Sequence, residues 1–225
     1  LSPLDVPPDV AKEGAAALLP VSAEGGISLQ APSGMRAHVR TRGTAQRAAS
    51  IEGSALVYQD AVAPGTHLVY HATPEGAEDY VIYEAPGAAT EITYDVALEA
   101  NVAGVRFFAN TLELLDSAGT PRLRMAPPAL FDATGRRLPL DVSLSTCEAD
   151  RSPAPPWGRA ITPPNADHCS VTLRWDDSDA TYPLLLDPTW SSTGRMILSR
   201  YSHILVTLSN GRVLAAGGSQ STAVE

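Results

Sequence analysis

From about Ile27 onward, apolar and polar side chains alternate in short runs: ISLQA, RAHVR, SALVYQD, THLVYHA, EDYVIYE and TEITYDVALEA. A period of two sends successive side chains to opposite faces of a pleated strand, and the β-branched and aromatic residues in these runs favour that state. In EDYVIYE the pattern turns Tyr80, Ile82 and Glu84 one way and Val81 and Tyr83 the other. The interruptions are turn chemistry: APG at 63–65, TPEGA at 73–77 and APGAA at 85–89. The stretch GVRFFANTLELLDSAGTPRLRMAPPALFDATGRRLPLDVSLS predicts a meander with tight turns at DSAG and DATG, where Asp116 and Asp132 hydrogen-bond their own turns. After Cys147, EADRSPAPPWGRAITPPNADH loses all periodicity and predicts a surface loop whose one large apolar side chain is Trp157. Strand character resumes in CSVTLRWD and TYPLLLD, with Asp176, Asp177, Ser178 and Asp179 in the turn between them.

Ahead of these strands, LSPLDVPPDVAKEGAAALLP holds four prolines and no aromatic residue, so it buries little surface to offset ordering. It predicts an extended leader over 1–20, with a short helical turn around 11–18 as the alternative. Regularly spaced short strands with proline and glycine turns argue for an all-β fold, an antiparallel β-sandwich over 21–189. The composition agrees: 225 residues with 44% hydrophobic side chains suffice for a large core, and 19 prolines with 17 glycines favour short strands over long helices.

A net charge of −9 with no basic block repels a nucleic-acid backbone or an anionic membrane, so nucleic acid is not an expected partner. No apolar run approaches the roughly 18 residues of a membrane-spanning helix. The chain opens at Leu1 with no charged region ahead of an apolar one, which reads as a processed or excised segment. Cys147 and Cys169, 169 − 147 = 22 positions apart across the proline-rich stretch, suit one structural disulfide and with it an oxidising, extracellular location. Two buried thiols are the competing reading. Zinc is the poorer fit, because C-x-x-C is absent and His168 adds only one further donor.

Two stretches resemble known proteins. SALVYQDAVAPGTHLVYHATPEGAEDYVIYEAP through MAPPALFDATG to TYPLLLDPTW, closing on the Tyr-Pro-x-x-x-Asp-Pro-Thr strand from Tyr182 to Thr189, is similar to a β-sandwich module near the N-terminus of large secreted bacterial proteins. The second, TGRMILSRYSHILVTLSNGRVLAAGGSQ, has Arg200, His203, a turn over 208–211, Val213-Leu214 and Gly217-Gly218. It resembles a kelch repeat of myxobacterial-type, galactose-oxidase-like propellers. Its residues support a hairpin independently: HILVTL and RVLAAGG flank SNGR, and Asn210-Gly211 suits a type I′ turn. The double glycine is expected to let converging backbones approach. The resemblance implies that residues 190–225 are a partial kelch-like blade and that further kelch units follow.

The copper ligands of galactose oxidases match no position here, and His203 falls where kelch repeats use histidine for packing. Asp176, Asp177 and Asp179 offer oxygen donors of the kind calcium takes, but lack the glycine and distal glutamate of an EF-hand; a solvated turn is the default. His67 and His71 share a strand face without H-E-x-x-H. Ser219 in GGSQS lacks the G-x-S-x-G elbow, and GGSQST lacks the Gly-Lys-Thr ending of a phosphate loop. Tyr58, Tyr70, Tyr80, Tyr83 and Tyr94 form either a core with cross-strand pairs or a sugar-stacking surface.

The expectation is a non-catalytic extracellular structural or interaction module, carrying no catalytic, metal or cofactor site, that precedes a kelch propeller. Its partners are the downstream propeller and other proteins or surface carbohydrate. The alternative is an accessory domain of a secreted galactose-oxidase-like or carbohydrate-active enzyme.

Overall fold

The alternating runs become strands. A computed structural model describes residues 15–87, 89–193, 200–207 and 213–220 of the chain. It divides into two compact units, Leu1–Thr193 and Gly194–Glu225. The first unit holds, in chain order, β1 (Ala16–Leu18), β2 (Ile27–Gln30), β3 (Arg36–Thr41), β4 (Ser50–Glu52), β5 (Ala55–Ala63), β6 (Thr66–Thr73), β7 (Gly76–Tyr83) and β8 (Glu91–Leu98). It continues with β9 (Gly104–Phe108), β10 (Thr111–Leu115), β11 (Pro121–Met125), β12 (Ala129–Phe131), β13 (Arg137–Leu138), β14 (Asp141–Ser145), β15 (His168–Arg174), β16 (Leu184–Asp187) and β17 (Thr189–Ser192). Its helical content among the described residues is one 3₁₀ turn, Ala23–Gly25. The second unit holds the antiparallel pair β18 (Arg200–Thr207) and β19 (Val213–Gln220).

One sheet runs β1-β2-β3-β8-β15-β14. The other is built around β7, which pairs along its whole length with β6 and shares its opposite edge between β16 and β17. Pro188 separates those two strands; having no N–H, it interrupts the ladder, while its carbonyl still accepts from the Asp79 N–H at 3.2 Å. Here the sheet forks: β16 continues into β12 and β13, β17 into β11, β10 and β9. Gly76 lets the strands close up at the other end of β7, since a Cβ there would lie 2.8 Å from the Ser191 Cα. All these pairings are antiparallel.

The inward positions of both sheets form one core, with Ile27, Val39, Tyr94 and Val171 on one side and Leu68, Val81, Leu123 and Leu186 on the other. Rings meet across it, Tyr94 against Trp190 at 6.0 Å and Tyr83 against Trp175 at 5.2 Å. The first unit is therefore all-β and sandwich-like. Its two open flanks are stitched differently. On one, the segment before β2 bonds to the segment before β4: Ala23 N–H donates to the Arg47 carbonyl at 2.9 Å, Ala49 N–H to that of Val21 at 3.0 Å, and the Tyr58 hydroxyl to that of Pro20. On the other, the proline-rich loop leaves edge strand β14, pairs with edge strand β9 through Asp150, and returns to β15. The outer edge of β9 is thereby covered.

The Asx turns form as the sequence suggests: Asp116 accepts from the Ala118 and Thr120 N–H groups at 2.9 and 3.0 Å, Asp132 from Thr134 and Arg136 at 3.0 and 3.1 Å. Two expectations need adjusting. Residues 1–14 of the expected leader lie outside the described residues, but its last part is not a leader: Ala16–Leu18 pairs with Ile27–Gln30 and adds an edge strand. The first unit also extends past residue 189, because Trp190 pairs with Ala77 and Met125 and is buried between the sheets. The Asn210-Gly211 turn lies outside the described residues.

Cys147 and Cys169 are joined, with Cα atoms 5.0 Å apart, at the two roots of the proline-rich loop. Closing a loop of this length restricts the unfolded chain by about 3 kcal/mol. The double substitution Cys147→Ser/Cys169→Ser is expected to lower unfolding free energy by about 2–4 kcal/mol in urea titration, and to expose the 148–167 segment to limited proteolysis before the sheets open. An unchanged midpoint would show that the cross-link adds nothing to the fold.

Candidate functional site: a buried acid among tyrosines

Parity along β7 decides what this site contains. Val81 and Tyr83 face the core, and Asp79, two positions earlier, must face it as well. Asp79 is 1% exposed. Its cross-strand neighbour on β6 is Tyr70, whose ring stands 5.1 Å from that of Tyr58 on β5. Tyr94 reaches in from β8 of the opposite sheet, beside Thr41 in the β3–β8 register. Four of the five tyrosines singled out in the sequence are thus buried in one place, as a core and not as a sugar-stacking surface; Tyr80 faces outward.

Neither carboxyl oxygen of Asp79 has a hydrogen-bond partner, and the same holds for the Tyr83, Tyr94, Thr41 and Thr66 hydroxyls. The Asp79 acid is pushed up to about 8, chiefly by burial, with the nearby Tyr94 hydroxyl offsetting part of the rise and the Asp187 carboxylate adding to it. Tyr58, Tyr70, Tyr83 and Tyr94 are all raised as well, first by burial and then by Asp79. At neutral pH the group is a carboxylic acid carrying its proton in a low-dielectric interior, because an ion there without a partner costs several kcal/mol. What this arrangement can do is hold one proton away from water. The enclosed void between the sheets, among Leu29, Val39, Val96, Leu114 and Trp190, has a volume of about 10 Å³. That is at the lower limit for a single water, and its lining is apolar.

On the outer face of the same strands, His71 Nδ1 lies 3.3 Å from Glu78 Oε2, which also accepts from the Tyr80 hydroxyl at 2.7 Å. Asp187 nearby is raised, by burial and then by Glu78. His67 accepts the Asp60 N–H on Nδ1 at 3.0 Å, which places its proton on Nε2, 3.0 Å from Glu84 Oε1. The two histidines do share a face, but each faces its own carboxylate. Asp176, Asp177 and Asp179 also serve separately: Asp176 accepts the Ser178 N–H at 2.9 Å, Asp177 accepts from the Tyr182 hydroxyl, and the Asp179 backbone carbonyl accepts from Arg136. Among the described residues no group of three or more His, Cys, Asp or Glu side chains is placed to hold a metal ion. His203 and Ser219 lie on β18 and β19 of the second unit, opposite Gly217 and Tyr201.

Asp79, with Thr41 and Thr66, is a part of this site that the sequence reading passed over. The signal was available, because an acid at the same parity as Val81 and Tyr83 in a run otherwise apolar on that face has no route to solvent. Compared with protein-family models, curated proteins and solved structures, the chain matches none.

The buried acid sets a pH dependence. Because its folded value of about 8 lies above the unfolded 3.8, folded and unfolded chains are both protonated in strong acid. As pH rises between those values only the unfolded chain releases the proton, so stability falls by about 1.4 kcal/mol per unit and then levels off. Other carboxylates act oppositely: Asp95 is held low first by Arg42, and Asp132 is lowered to about 2 by Thr134 and Arg136, so their contributions are lost only in acid. Asp79→Asn is expected to remove the loss between pH 5 and 7.5, shifting the difference from the parent chain by about 3 kcal/mol in urea unfolding. Parallel pH profiles for the two chains would rule out the buried acid as the cause.

Proposed function

We propose that this chain is a non-catalytic extracellular structural and interaction module that precedes a kelch-type β-propeller, with Arg200–Gln220 as two strands of its first blade. The observation that carries this reading is the hairpin of the second unit. It pairs antiparallel from Arg200 with Gln220 to Thr207 with Val213. Ile204 on it is 69% exposed, and Ala216 to Ser219 are exposed as well. A two-stranded ribbon is marginal in water by itself, and a propeller blade is the architecture that would add strands to both its edges. Gly217 and Gly218 both adopt positive φ, at 74° and 82°, which supports a backbone requirement for the glycine pair of the kelch-like pattern.

Two further features support holding over turnover. The buried acid and tyrosines are sealed between the sheets, where no substrate reaches them. The disulfide fits an extracellular protein, and no helix among the described residues is long and apolar enough to cross a membrane. The module's partners on this reading are the propeller of the same protein and, beyond it, other proteins or surface carbohydrate.

The test is the structure of the protein expressed from its complete gene. The expected result pairs β18 or β19 with further strands in a four-stranded blade, in protein recovered from the medium without reactive thiols. A hairpin left with both outer edges in solvent, or a cell-retained protein with two titratable sulfhydryls, would overturn the proposal.

A further inference from the structure

The proline-rich loop carries a large apolar side chain out into water. Trp157 is 57% exposed, whereas Trp175 and Trp190 are buried. The loop itself is held tightly. Phe107 N–H donates to the Asp150 carbonyl and Asp150 N–H to the Val105 carbonyl, both at 2.9 Å, so the loop extends the sheet beyond β9. Arg106 on β9 donates to the Ser152 carbonyl at 3.2 Å and the Pro153 carbonyl at 3.4 Å. Arg159 donates to the Pro155 and Ala154 carbonyls at 2.8 and 3.2 Å and pairs with the Asp150 carboxylate. From the other side, the turn between β10 and β11 presses on the loop at Gly119, whose φ is +75°. A Cβ at Gly119 would lie 2.9 Å from the Pro156 carbonyl oxygen and 3.5 Å from the Trp157 Cα. With Pro153, Pro155 and Pro156 limiting the backbone further, the cost of ordering the backbone that carries this indole is met before any ligand arrives.

Two ion pairs lie near the backbone that carries it. Arg159 and Asp150 lie within the loop, and Arg122 Nε bonds Asp116 Oδ2 at 2.7 Å at the base of the turn that touches Trp157. In each pair the guanidinium side chain is more than a third exposed, at 36% and 39%, and the carboxylate is mostly covered, at 14% and 20%. Each pair sums to zero, on a chain whose net charge is −9. An exposed aromatic side chain thus sits on a loop that offers both donors and acceptors, in two pairs that are each neutral.

We propose that Trp157, between the Asp150–Arg159 and Asp116–Arg122 pairs, is a docking platform for a neutral saccharide chain. A pyranose ring offers a face of C–H groups that lies on an indole, and a rim of hydroxyls that each require a donor and an acceptor, which arginine–carboxylate pairs supply together. Two neutral pairs offer little field to a polyanion or polycation. A protein partner buries roughly 800 Å² per side around a continuous apolar centre, and a single exposed indole on a loop with ion pairs is the wrong surface for one. This proposal stands on the loop alone and survives if the propeller reading fails.

The test is affinity electrophoresis of the full chain through gels containing a neutral glucan, mannan, galactan or xylan, with alginate and heparin as charged comparators. At least one neutral polysaccharide is expected to retard the chain and to shield its tryptophan fluorescence from acrylamide. Trp157→Ala is expected to bind about tenfold more weakly or worse, with an unchanged far-UV spectrum and melting midpoint, and Trp157→Phe to retain part of the retardation. The proposal is overturned by no retardation in any neutral gel, by equal retardation of Trp157→Ala, or by retardation in alginate or heparin alone. A Trp157-dependent dimer in sedimentation would overturn it too, by making the patch a protein contact.

Discussion

Two sheets can share one dry interior only if a strand near the middle of each presents an unbroken inward face, and in the larger sheet that strand is β7. It pairs with β6 along one edge and with both halves of the strand kinked at Pro188 along the other, so every extension of the sheet hangs from it. Gly76 admits the Trp190–Ser191 backbone at one end, and Tyr83 packs on Trp175 of the opposite layer at the other. The same inward face contains Asp79. A side chain that cannot leave the core must shed its charge to stay there, and the cost of keeping it protonated is carried by the fold across the neutral pH range. The nearby Tyr94 hydroxyl softens that cost without removing it.

Local structure was legible in the residues because local rules determined it. Alternation in EDYVIYE and TEITYDVAL located β7 and β8 and the facing of their side chains, the Asx turns at Asp116 and Asp132 followed from DSAG and DATG, and two cysteines flanking a proline-rich stretch marked the closed loop. What escaped was long-range. No periodicity in TYPLLLDPTW reveals that one strand serves two branches of a sheet, since that depends on which distant edges remain open after β7 is placed. Ala16–Leu18 is too short and too weakly patterned to announce a strand, and becomes one because β2 offers it an unpaired edge. Asp79 was readable by parity and was passed over because the aromatic residues around it dominate the run.

The proline-rich loop reads as irregular in sequence and behaves as a structural tie. Its roots lie in the β14–β15 side of one sheet, joined by the disulfide, and its middle is bonded to β9 at the edge of the other. Edge strands of opposite layers are therefore linked by a segment without regular structure of its own. Arg151 makes the same point in one side chain, donating to the Leu144 carbonyl on β14 at 3.3 Å while its guanidinium sits 4.9 Å from the Phe107 ring on β9. Proline suits this task, because a segment that must bridge two edges without adding a strand to either benefits from missing donors and a fixed φ.

Rigidity in that loop and protonation in the core are linked through the same architecture. The sandwich is stitched along both flanks, by the Ala23–Arg47 and Ala49–Val21 bonds on one and by the loop's hold on β9 on the other, and Asp79 is buried between its sheets. Each flank is fastened by backbone hydrogen bonds, which do not titrate between pH 4 and 8. Ionisation of the core acid therefore acts against the whole interface at once and not against one hinge, and the unit should lose stability with rising pH as a single cooperative body. Surface loops on such a unit keep their geometry until the entire fold gives way.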